Sequence, residues 1–318
     1  MGETVAEVGE FGLIDRIRER LSGSPGVSVG VGDDAAVLAM PGETVLCTDA
    51  LVEGKHFKLD WCSAADVGHR AAAASMSDIA AMGARPRALV VSLCLPADAS
   101  VDWVMELVDG MSDEAAETGA SLVGGDLARC DTVVVSVAAV GGVAPGRAVT
   151  RSGARPGDVA AIAGRQGWAA AGLTVLSRGF RSPRALVQAY QRPNPPYSSG
   201  PGAMEAGATS MIDVSDGLLA DLRHIAVESK VLVDLESGLI PLADQLSETS
   251  SAFNVDPLTW VLGGGDDHSL VATFPSGARL PEMFTRIGRV VDLAGGPAGV
   301  SVDGRLWSGQ GGGYDHFR

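Results

Sequence analysis

The segment VGVGDDAAVL (residues 29–38) places two acidic residues side by side in a run that otherwise contains only valine, glycine, alanine and leucine. The apolar residues predict a buried strand. An ionised carboxylate in such surroundings is unfavourable unless a cation, a set of hydrogen-bond donors or water lies against it. Asp33 and Asp34 therefore raise the question of whether this strand borders a ligand site.

The composition is that of an acidic globular protein. The 318 residues are 46% hydrophobic and 20% charged, which is enough for a large core and for two domains. The formal net charge of −15 disfavours nucleic acid as a partner, because the protein would repel a phosphate backbone. Surface carboxylates that confer solubility are the simpler explanation of this charge, and a site for several divalent cations is the alternative.

Cysteine spacing and hydropathy indicate where in the cell the protein is expected. The four cysteines form no C-x-x-C pair, so neither a zinc knuckle nor a redox dithiol is predicted. No stretch is apolar for long enough to span a bilayer, and the opening MGETVAEVGE lacks the basic-then-apolar order of a secretory signal. We therefore expect a cytoplasmic location, reduced cysteines and no membrane partner.

The alternation of helical and strand patterns predicts two α/β domains, with the boundary in the Gly-, Pro- and Arg-rich stretch 144–158. Residues 1–145 are expected to carry a mixed sheet, and residues 146–318 a second α/β domain. Helices are predicted at 11–21, 64–83, 101–118, 168–178, 183–191 and 217–229. Strands are predicted at 27–32, 35–40, 44–52, 88–95, 120–126, 132–143, 159–164, 231–235, 268–274 and 286–291.

Further acids share the surroundings of the first pair, next to Gly, Ala or Ser. They are Asp49 in CTDALVEGKHF, Asp78 in SMSDIAAMGA, Asp126 in LVGGDLA, Asp213 and Asp216 in MIDVSDGLLADL, and Asp266 and Asp267 in LGGGDDHSL. By prediction Asp78 lies within a helix, Asp213 and Asp216 lie between a strand and a helix, and the others lie at strand ends or tight turns. Carboxylates with few histidines favour Mg²⁺ and a nucleotide over zinc. A helix N-cap is the simpler interpretation of Asp126 or Asp216 taken alone, and Asp78 has a solvent-facing alternative.

Two common nucleotide folds are excluded by their motifs, since the chain contains neither a G-x-x-x-x-G-K-[ST] loop nor a Rossmann G-x-G-x-x-G run. The chain resembles the thiamine-monophosphate kinase family instead. The motifs that carry the resemblance, in the family's order, are GVGDDAAVL, TDALVEGKHF, MSDIAAMGA, GGD, TRSGARPGD, DVSDGL, GGGDDHSL and GYDHF.

This resemblance implies a two-domain fold like that of aminoimidazole ribonucleotide synthetase. The N-terminal sheets of two subunits would form a β-barrel that spans a homodimer, and a C-terminal α/β domain would follow. It also implies transfer of phosphate from ATP to thiamine monophosphate, with several Mg²⁺ ions. No general base is expected, because the acceptor phosphate is already largely ionised. Direct in-line transfer without a catalytic nucleophile is expected, because the acids have no obvious nucleophile–base pair among them.

The resemblance assigns roles position by position. The matching metal positions are Asp34, Cys47, Thr48, Asp49, Asp78, Asp126, Asp213 and Asp216. The ATP positions are Gly125, Asp126, Arg151 and Ser215, and the substrate positions are His56, Asp266 and Gly311. Charge neutralisation is assigned to the metal cluster and Arg151. Asp33 is expected to point to the other face of its strand.

The chain departs from the family's pattern in three places. Cys47 replaces a frequent serine, so any metal contact there is expected through its backbone carbonyl. Residues 265–270 read GDDHSL where the family often has Gly-Glu-Asp-Tyr-Glu-Leu, and Gly311 stands where an aromatic residue is frequent. Trp307 or Tyr314 is the candidate replacement for that ring.

Other functions within the same fold remain open. Selenophosphate synthetase generally needs a reactive Cys or selenocysteine near the N-terminus, and the hydrogenase-maturation dehydratase needs a C-terminal Cys; neither is present in the sequence. Aminoimidazole ribonucleotide synthetase is a third enzyme of this fold. A non-catalytic module that binds cations or nucleotides is the alternative from a different class.

Overall fold

The structure, a computed structural model, describes residues 2–21, 26–31, 35–293, 295–308 and 313. Its chain forms two compact units, one of Met1–Ile79 with Ala84–Gly146 and the other of Ala80–Gly83 with Arg147–Arg318. Within the described ranges, none of the helices combines the length and the apolarity needed to cross a bilayer.

The described residues of the first unit form three helices and six strands. The helices are α1 (Val5–Arg20), α2 (Ala64–Ala81) and α3 (Val101–Ala116), and the strands are β1 (Val27–Val29), β2 (Val37–Leu38), β3 (Glu43–Val52), β4 (Arg85–Leu95), β5 (Ser121–Arg129) and β6 (Val134–Val143). Strands β3 to β6 form a sheet in the order β3-β6-β4-β5, in which only the β4–β5 pair is parallel. The sheet is therefore mixed, as predicted.

Helices α2 and α3 pack closely because glycine faces backbone where they cross. A Cβ atom added to Gly68 would lie 2.0 Å from the Leu107 carbonyl oxygen, and one added to Gly110 would lie 2.1 Å from that of Ala65. The α2 N-terminus is fixed by reciprocal bonds: the Ser63 amide donates to the Asp66 carboxylate, and the Asp66 amide to the Ser63 hydroxyl. Asp78 lies near the C-terminal end of α2.

The sheet of the first unit has one covered face and one open face. Along β6, alternate residues are buried and half-buried, and β3 shows the same alternation with more exposure. The Cys47 thiol on β3 donates to the Ser75 carbonyl on α2, at 3.2 Å, so Cys47 points to the face that α2 covers. Leu46 and Thr48 therefore point to the open face.

The second unit contains a seven-stranded mixed sheet with helices around it. The helices are α4 (Trp168–Ser177), α5 (Arg184–Gln191), α6 (Ser199–Glu205), α7 (Leu218–Ser229), α8 (Asp244–Phe253) and α9 (Pro257–Gly263), with a 3₁₀ turn at Ser237–Leu239. The strands are β7 (Val159–Ala163), β8 (Ser210–Val214), β9 (Leu232–Leu235), β10 (Ser269–Phe274), β11 (Phe284–Val291), β12 (Gly299–Val302) and β13 (Arg305–Leu306).

The order of this sheet is β13-β12-β9-β11-β7-β10-β8, and β12 pairs parallel to β9 while the other pairs are antiparallel. Strand β10 is buried along its whole length, as expected for a strand covered on both faces. The predicted α/β class with mixed sheets is confirmed. Helices α6, α8 and α9 and strands β12 and β13 were not predicted.

Two expectations about the acids are wrong. None of the described residues of this segment, 29–31 and 35–38, is fully buried: β1 and β2 are short, pair antiparallel, and leave Val37 exposed. Asp49 and Asp126 were expected at strand ends, but Asp49 lies in the interior of β3, as the predicted range 44–52 already implies, and β5 continues three residues past Asp126. Both strands continue past the acid because their backbone pairing continues, Asp49 opposite Val137 and Asp126 opposite Ser92. Asp126 is therefore not a helix N-cap.

Candidate functional site

The first unit brings together three of the predicted metal ligands. The Cys47 sulfur and one carboxylate oxygen each from Asp49 and Asp78 all lie within 4.8 Å of one another, and all three residues are half-buried. Cys47 and Asp49 are two residues apart on β3 and so share a face, and Asp78 approaches them from α2. A strand and a helix distant in sequence thus build one group.

The donor set of this group fits a hard divalent cation. Two carboxylates supply the oxygen ligands that Mg²⁺ prefers. Burial, and then the charges of Asp78 and Asp49, raise the pKa of the Cys47 thiol well above its usual value. The thiol is therefore neutral at pH 7, and in that state it is a weak ligand beside two strong ones.

Two other predicted ligands of this unit lie on the opposite face of the sheet. Thr48 points to the open face between Cys47 and Asp49. Asp126 pairs with Ser92, and Ser92 pairs with Ser136, whose side chains also lie on that face. Gly125 has to be glycine, because an added Cβ atom would lie 2.2 Å from the Val91 carbonyl oxygen. The structure thus separates Asp126 and Thr48 from the Cys47 group.

His56 lies in the tight loop that follows β3. The Val52 amide donates to its Nδ1 atom at 2.9 Å, and the His56 amide donates in return to the Val52 carbonyl. A neutral imidazole whose Nδ1 accepts a hydrogen bond carries its proton on Nε2. The loop thus prepares Nε2–H as a donor, which is the chemistry that a phosphate oxygen requires.

In the second unit, the predicted residues cluster where β8 ends and α7 begins. Asp213 is in β8, and Ser215 and Asp216 follow in the turn. The Asp221 carboxylate, from the first turn of α7, accepts from the amides of Asp216 and Gly217, each at 3.0 Å. Burial, and then the charge of Asp213, raise the pKa of Asp221 to about 7.

Sequence reasoning missed Asp221. The one available signal was an acid four residues after Gly217, in the first turn of the predicted helix, where a carboxylate can reach back to the free amides. The residue holds the turn that carries Ser215 and Asp216, so it supports the site without being one of the predicted ligands.

The loop of residues 264–268 is tied to the same turn. The Asp266 amide donates to the Ser215 carbonyl at 2.8 Å, and an added Cβ atom on Gly265 would lie 2.0 Å from that oxygen. His268 donates from its amide to the Val214 carbonyl, and its Nδ1 lies 3.0 Å from an Asp213 carboxylate oxygen. Asp266 and Ser215 are thus neighbours through backbone contacts.

Asp267 faces away from this turn and accepts from the Ala169 amide at 2.9 Å, at the N-terminus of α4. Its burial raises its pKa to about 7, against the opposing effect of the hydrogen bonds from the amides of Ala169 and Gly167. Its role is to anchor the loop to α4.

The remaining predicted positions are placed as follows. Arg151 is exposed. The pKa of His224 on α7 is lowered first by burial and then by the positive charge of Arg151, whereas the charge of Asp216 raises it. Trp307, a candidate for the missing ring, packs against the apolar core of the second unit. Asp33, Asp34, Gly311 and Tyr314 lie outside the described residues.

Comparison with known proteins supports the family and the fold that the sequence motifs imply. Residues 32–143 match the family described as AIR synthase related protein, N-terminal domain. A thiamine-monophosphate kinase of Mycobacterium tuberculosis is 45% identical over 311 residues, which is 97% of this chain and 92% of the relative.

Two solved structures extend the likeness to three dimensions. The thiamine-monophosphate kinase of Stenotrophomonas maltophilia has a TM-score of 0.83 and 35% identity, over 94% of this chain and 98% of its own. A structure described as AaThiL complexed with AMPPCP and TMP has a TM-score of 0.81 and 32% identity, over 99% and 100%. The expected fold related to aminoimidazole ribonucleotide synthetase is therefore confirmed, and the chain belongs to the thiamine-monophosphate kinase family.

Proposed function

We propose that this protein transfers the γ-phosphoryl group of ATP to thiamine monophosphate, giving ADP and thiamine diphosphate, which is the last step in forming that cofactor. The proposal rests on the proximity of the Asp49 and Asp78 carboxylates in a chain that matches its relatives over nearly its full length. The related structure with AMPPCP and TMP supports both substrates, since AMPPCP is an analogue of ATP.

Mg²⁺ is the proposed metal. In the first unit we assign Asp49 and Asp78 as its carboxylate ligands, with Cys47 beside them; in the second unit we assign Asp213 and Asp216. Asp34, Thr48 and Asp126 are further proposed ligands, carried over from the family resemblance. Bound at these positions, Mg²⁺ would offset the repulsion between two anionic substrates and align their phosphates.

Transfer is direct in this proposal. The bond from the γ-phosphorus to the bridging oxygen of ATP breaks as an oxygen of the acceptor phosphate bonds to the same phosphorus, and ADP leaves. The acceptor has a second pKa near 6, so at pH 7 it is largely ionised and needs no general base. Inversion at a chiral γ-phosphorus is expected, and net retention would refute direct transfer.

The protein's own groups then bind and orient the two phosphates. His56 Nε2–H is assigned to the phosphate of thiamine monophosphate, and Asp266 to the same substrate. Arg151 is assigned to the oxygens of ATP, since its forked donors suit phosphate. Gly125 and Ser215 complete the proposed ATP contacts, and Gly311 remains a proposed substrate position.

One incubation tests the reaction. Purified protein is mixed with ATP, Mg²⁺ and thiamine monophosphate, and ADP and thiamine diphosphate are measured by chromatography. Equal amounts of the two products are expected, with none when EDTA is present. Formation of ADP without thiamine diphosphate, or of neither by folded protein, would contradict the proposal.

Two variants separate the site from general effects of charge. Asp49→Asn is expected to lower turnover at least 100-fold, which corresponds to about 2.7 kcal/mol of barrier. Asp98→Asn makes the same charge change at an exposed acid in the loop before α3 and is expected to leave turnover unchanged. Unaltered turnover in Asp49→Asn would remove this residue from the proposed site.

A homodimer is also proposed, with its interface on the open face of the first unit's sheet. Residues 1–145 are proposed as the dimerisation and ATP-binding domain, and residues 146–318 as the C-terminal α/β domain. Leu46 is 69% exposed and Val90 38% exposed on this face, and strands β3 and β5 are its edges. Exposed apolar surface next to open strand edges favours association.

Sedimentation tests the assembly. Leu46→Asp is expected to convert the dimer to a monomer, whereas Phe11→Asp, at an exposed apolar residue on α1, is expected to leave the dimer intact. A wild-type monomer with full activity would refute the dimer. The cytoplasm is the proposed location, since the reaction consumes ATP, and cell fractionation tests it.

A further inference from the structure

We propose that His268 is a positioning residue, which holds the carboxylate of Asp213 in the orientation needed to bind a divalent cation. This inference rests on the proposed function, because that function makes Asp213 a metal ligand. It concerns a residue at which this chain departs from the motif of its family, since histidine stands here where tyrosine is frequent.

The contact is buried and direct. His268 Nδ1 lies 3.0 Å from Asp213 Oδ2, and the two side chains are 7% and 6% exposed. An ionised carboxylate offers only acceptors, so the imidazole donates from Nδ1. A donor fixed on one oxygen sets the rotation of the carboxylate about its last side-chain bond, and with it the direction of the other oxygen.

The backbone holds the imidazole in place. His268 has φ of 51°, in the left-handed region that histidine enters more readily than most residues. Its amide donates to the Val214 carbonyl at 3.1 Å, and the neighbouring Asp267 anchors the loop to α4. The donor is thus bound on both sides to rigid elements, β8 and α4, which is what a positioning group requires.

The surroundings of Asp213 make such a donor useful. Asp213 lies next to the last residue of β8, and the Asp221 carboxylate accepts from the amide of Asp216 in the turn that follows, so three acidic residues share this end of β8. Their mutual repulsion favours orientations that point the oxygens apart. A hydrogen bond from His268 opposes that tendency and keeps Asp213 directed when no cation is bound.

The test uses the full-length protein with AMPPCP bound and Mn²⁺ as a paramagnetic substitute for Mg²⁺, titrated by electron paramagnetic resonance. His268→Phe keeps an aromatic ring but removes the donor. His268→Asn keeps a donor, since its Nδ2 occupies nearly the position of the histidine Nδ1, and asparagine also tolerates the left-handed backbone.

We expect His268→Phe to bind one Mn²⁺ per chain about 10-fold or more weakly than the wild type, the usual effect of removing a hydrogen bond to a ligand. His268→Asn is expected to retain most of that affinity. The half-saturating Mg²⁺ concentration for turnover is expected to rise in the Phe variant, with the KM for thiamine monophosphate unchanged.

A matched control distinguishes positioning from stability. His69 makes a comparable buried pair with Glu114, 2.6 Å from Nε2 to the carboxylate, and neither residue belongs to the proposed site. His69→Phe is expected to lower the melting temperature without weakening Mn²⁺ binding. Wild-type Mn²⁺ affinity in His268→Phe, or an equal loss of Mn²⁺ affinity in the Phe and Asn variants, would overturn the inference. Failure of the proposed function would appear instead as wild-type protein that makes no thiamine diphosphate.

Discussion

Replacing Asp267 by asparagine should change how the stability of the protein depends on pH. The Asp267 carboxyl group is buried, and its pKa rises from an ordinary value of 3.8 to about 7. The folded state therefore binds a proton that the unfolded state releases near pH 4. Since the folded pKa is the higher one, the group's contribution to stability is fully present below pH 4 and is lost as the pH rises to about 7.

The size of this loss follows from the two pKa values. A difference of about 3 pH units corresponds to about 4 kcal/mol in total. Between pH 5 and pH 7 the free energy of unfolding of the wild type should fall by about 2 kcal/mol relative to Asp267→Asn, and above pH 8 the difference should be constant. Asparagine keeps the oxygen that accepts from Ala169 but does not titrate.

Urea unfolding of both proteins at pH 5, 6, 7 and 8, without metal or substrate, gives the difference directly. Asp303→Asn is the control, because hydrogen bonds from Ser237 lower the pKa of Asp303. Its effect should therefore be the same at all four pH values. A constant difference between wild type and Asp267→Asn would show that the carboxylate is already ionised in the folded state at pH 5, with the α4 amides outweighing burial.

Further predictions concern the proposed site. Asp78→Asn should raise the Mg²⁺ concentration needed for half-maximal turnover, measured by titration at saturating substrates, and an unchanged requirement would remove Asp78 from the cation group. His56→Ala should raise the KM for thiamine monophosphate about tenfold, the size of one hydrogen bond to a charged group, while the KM for ATP stays constant; equal changes in both would contradict its assignment. Gly265→Ala should lower stability by about 1–3 kcal/mol in urea unfolding, because its Cβ atom would meet the Ser215 carbonyl at 2.0 Å, and wild-type stability would show that the loop shifts freely.

The long elements could be predicted from the sequence because their patterns are local. Helices α2 and α3 and strand β6 are found within a few residues of their predicted positions, since periodic or continuous apolar runs define them. For the described residues of segment 29–38, the prediction of a buried strand is wrong. The segment's valines and alanines resemble a buried strand, but burial depends on what packs against the segment, and that is not encoded locally.

The candidate site shows the same division. The acids could be recognised by their small neighbours, but Asp49 and Asp126 were expected at strand ends. Whether a strand continues is decided by its partner, here β6 for one and β4 for the other. The pairing of His268 with Asp213 joins residues 55 positions apart, so no local pattern could indicate it.

Strand β3 has a further consequence through its register. Ten consecutive residues, Glu43 to Val52, pair one to one with β6. A slip of one residue would turn every side chain to the other face, moving Asp49 away from Asp78 and carrying Leu46 under α2. The position of Asp49 beside Asp78 and the exposure of Leu46 are therefore lost together, in one step. Substitutions that weaken this ladder should therefore produce mixtures of fully competent and fully incompetent molecules, with the affinity of the competent fraction unchanged.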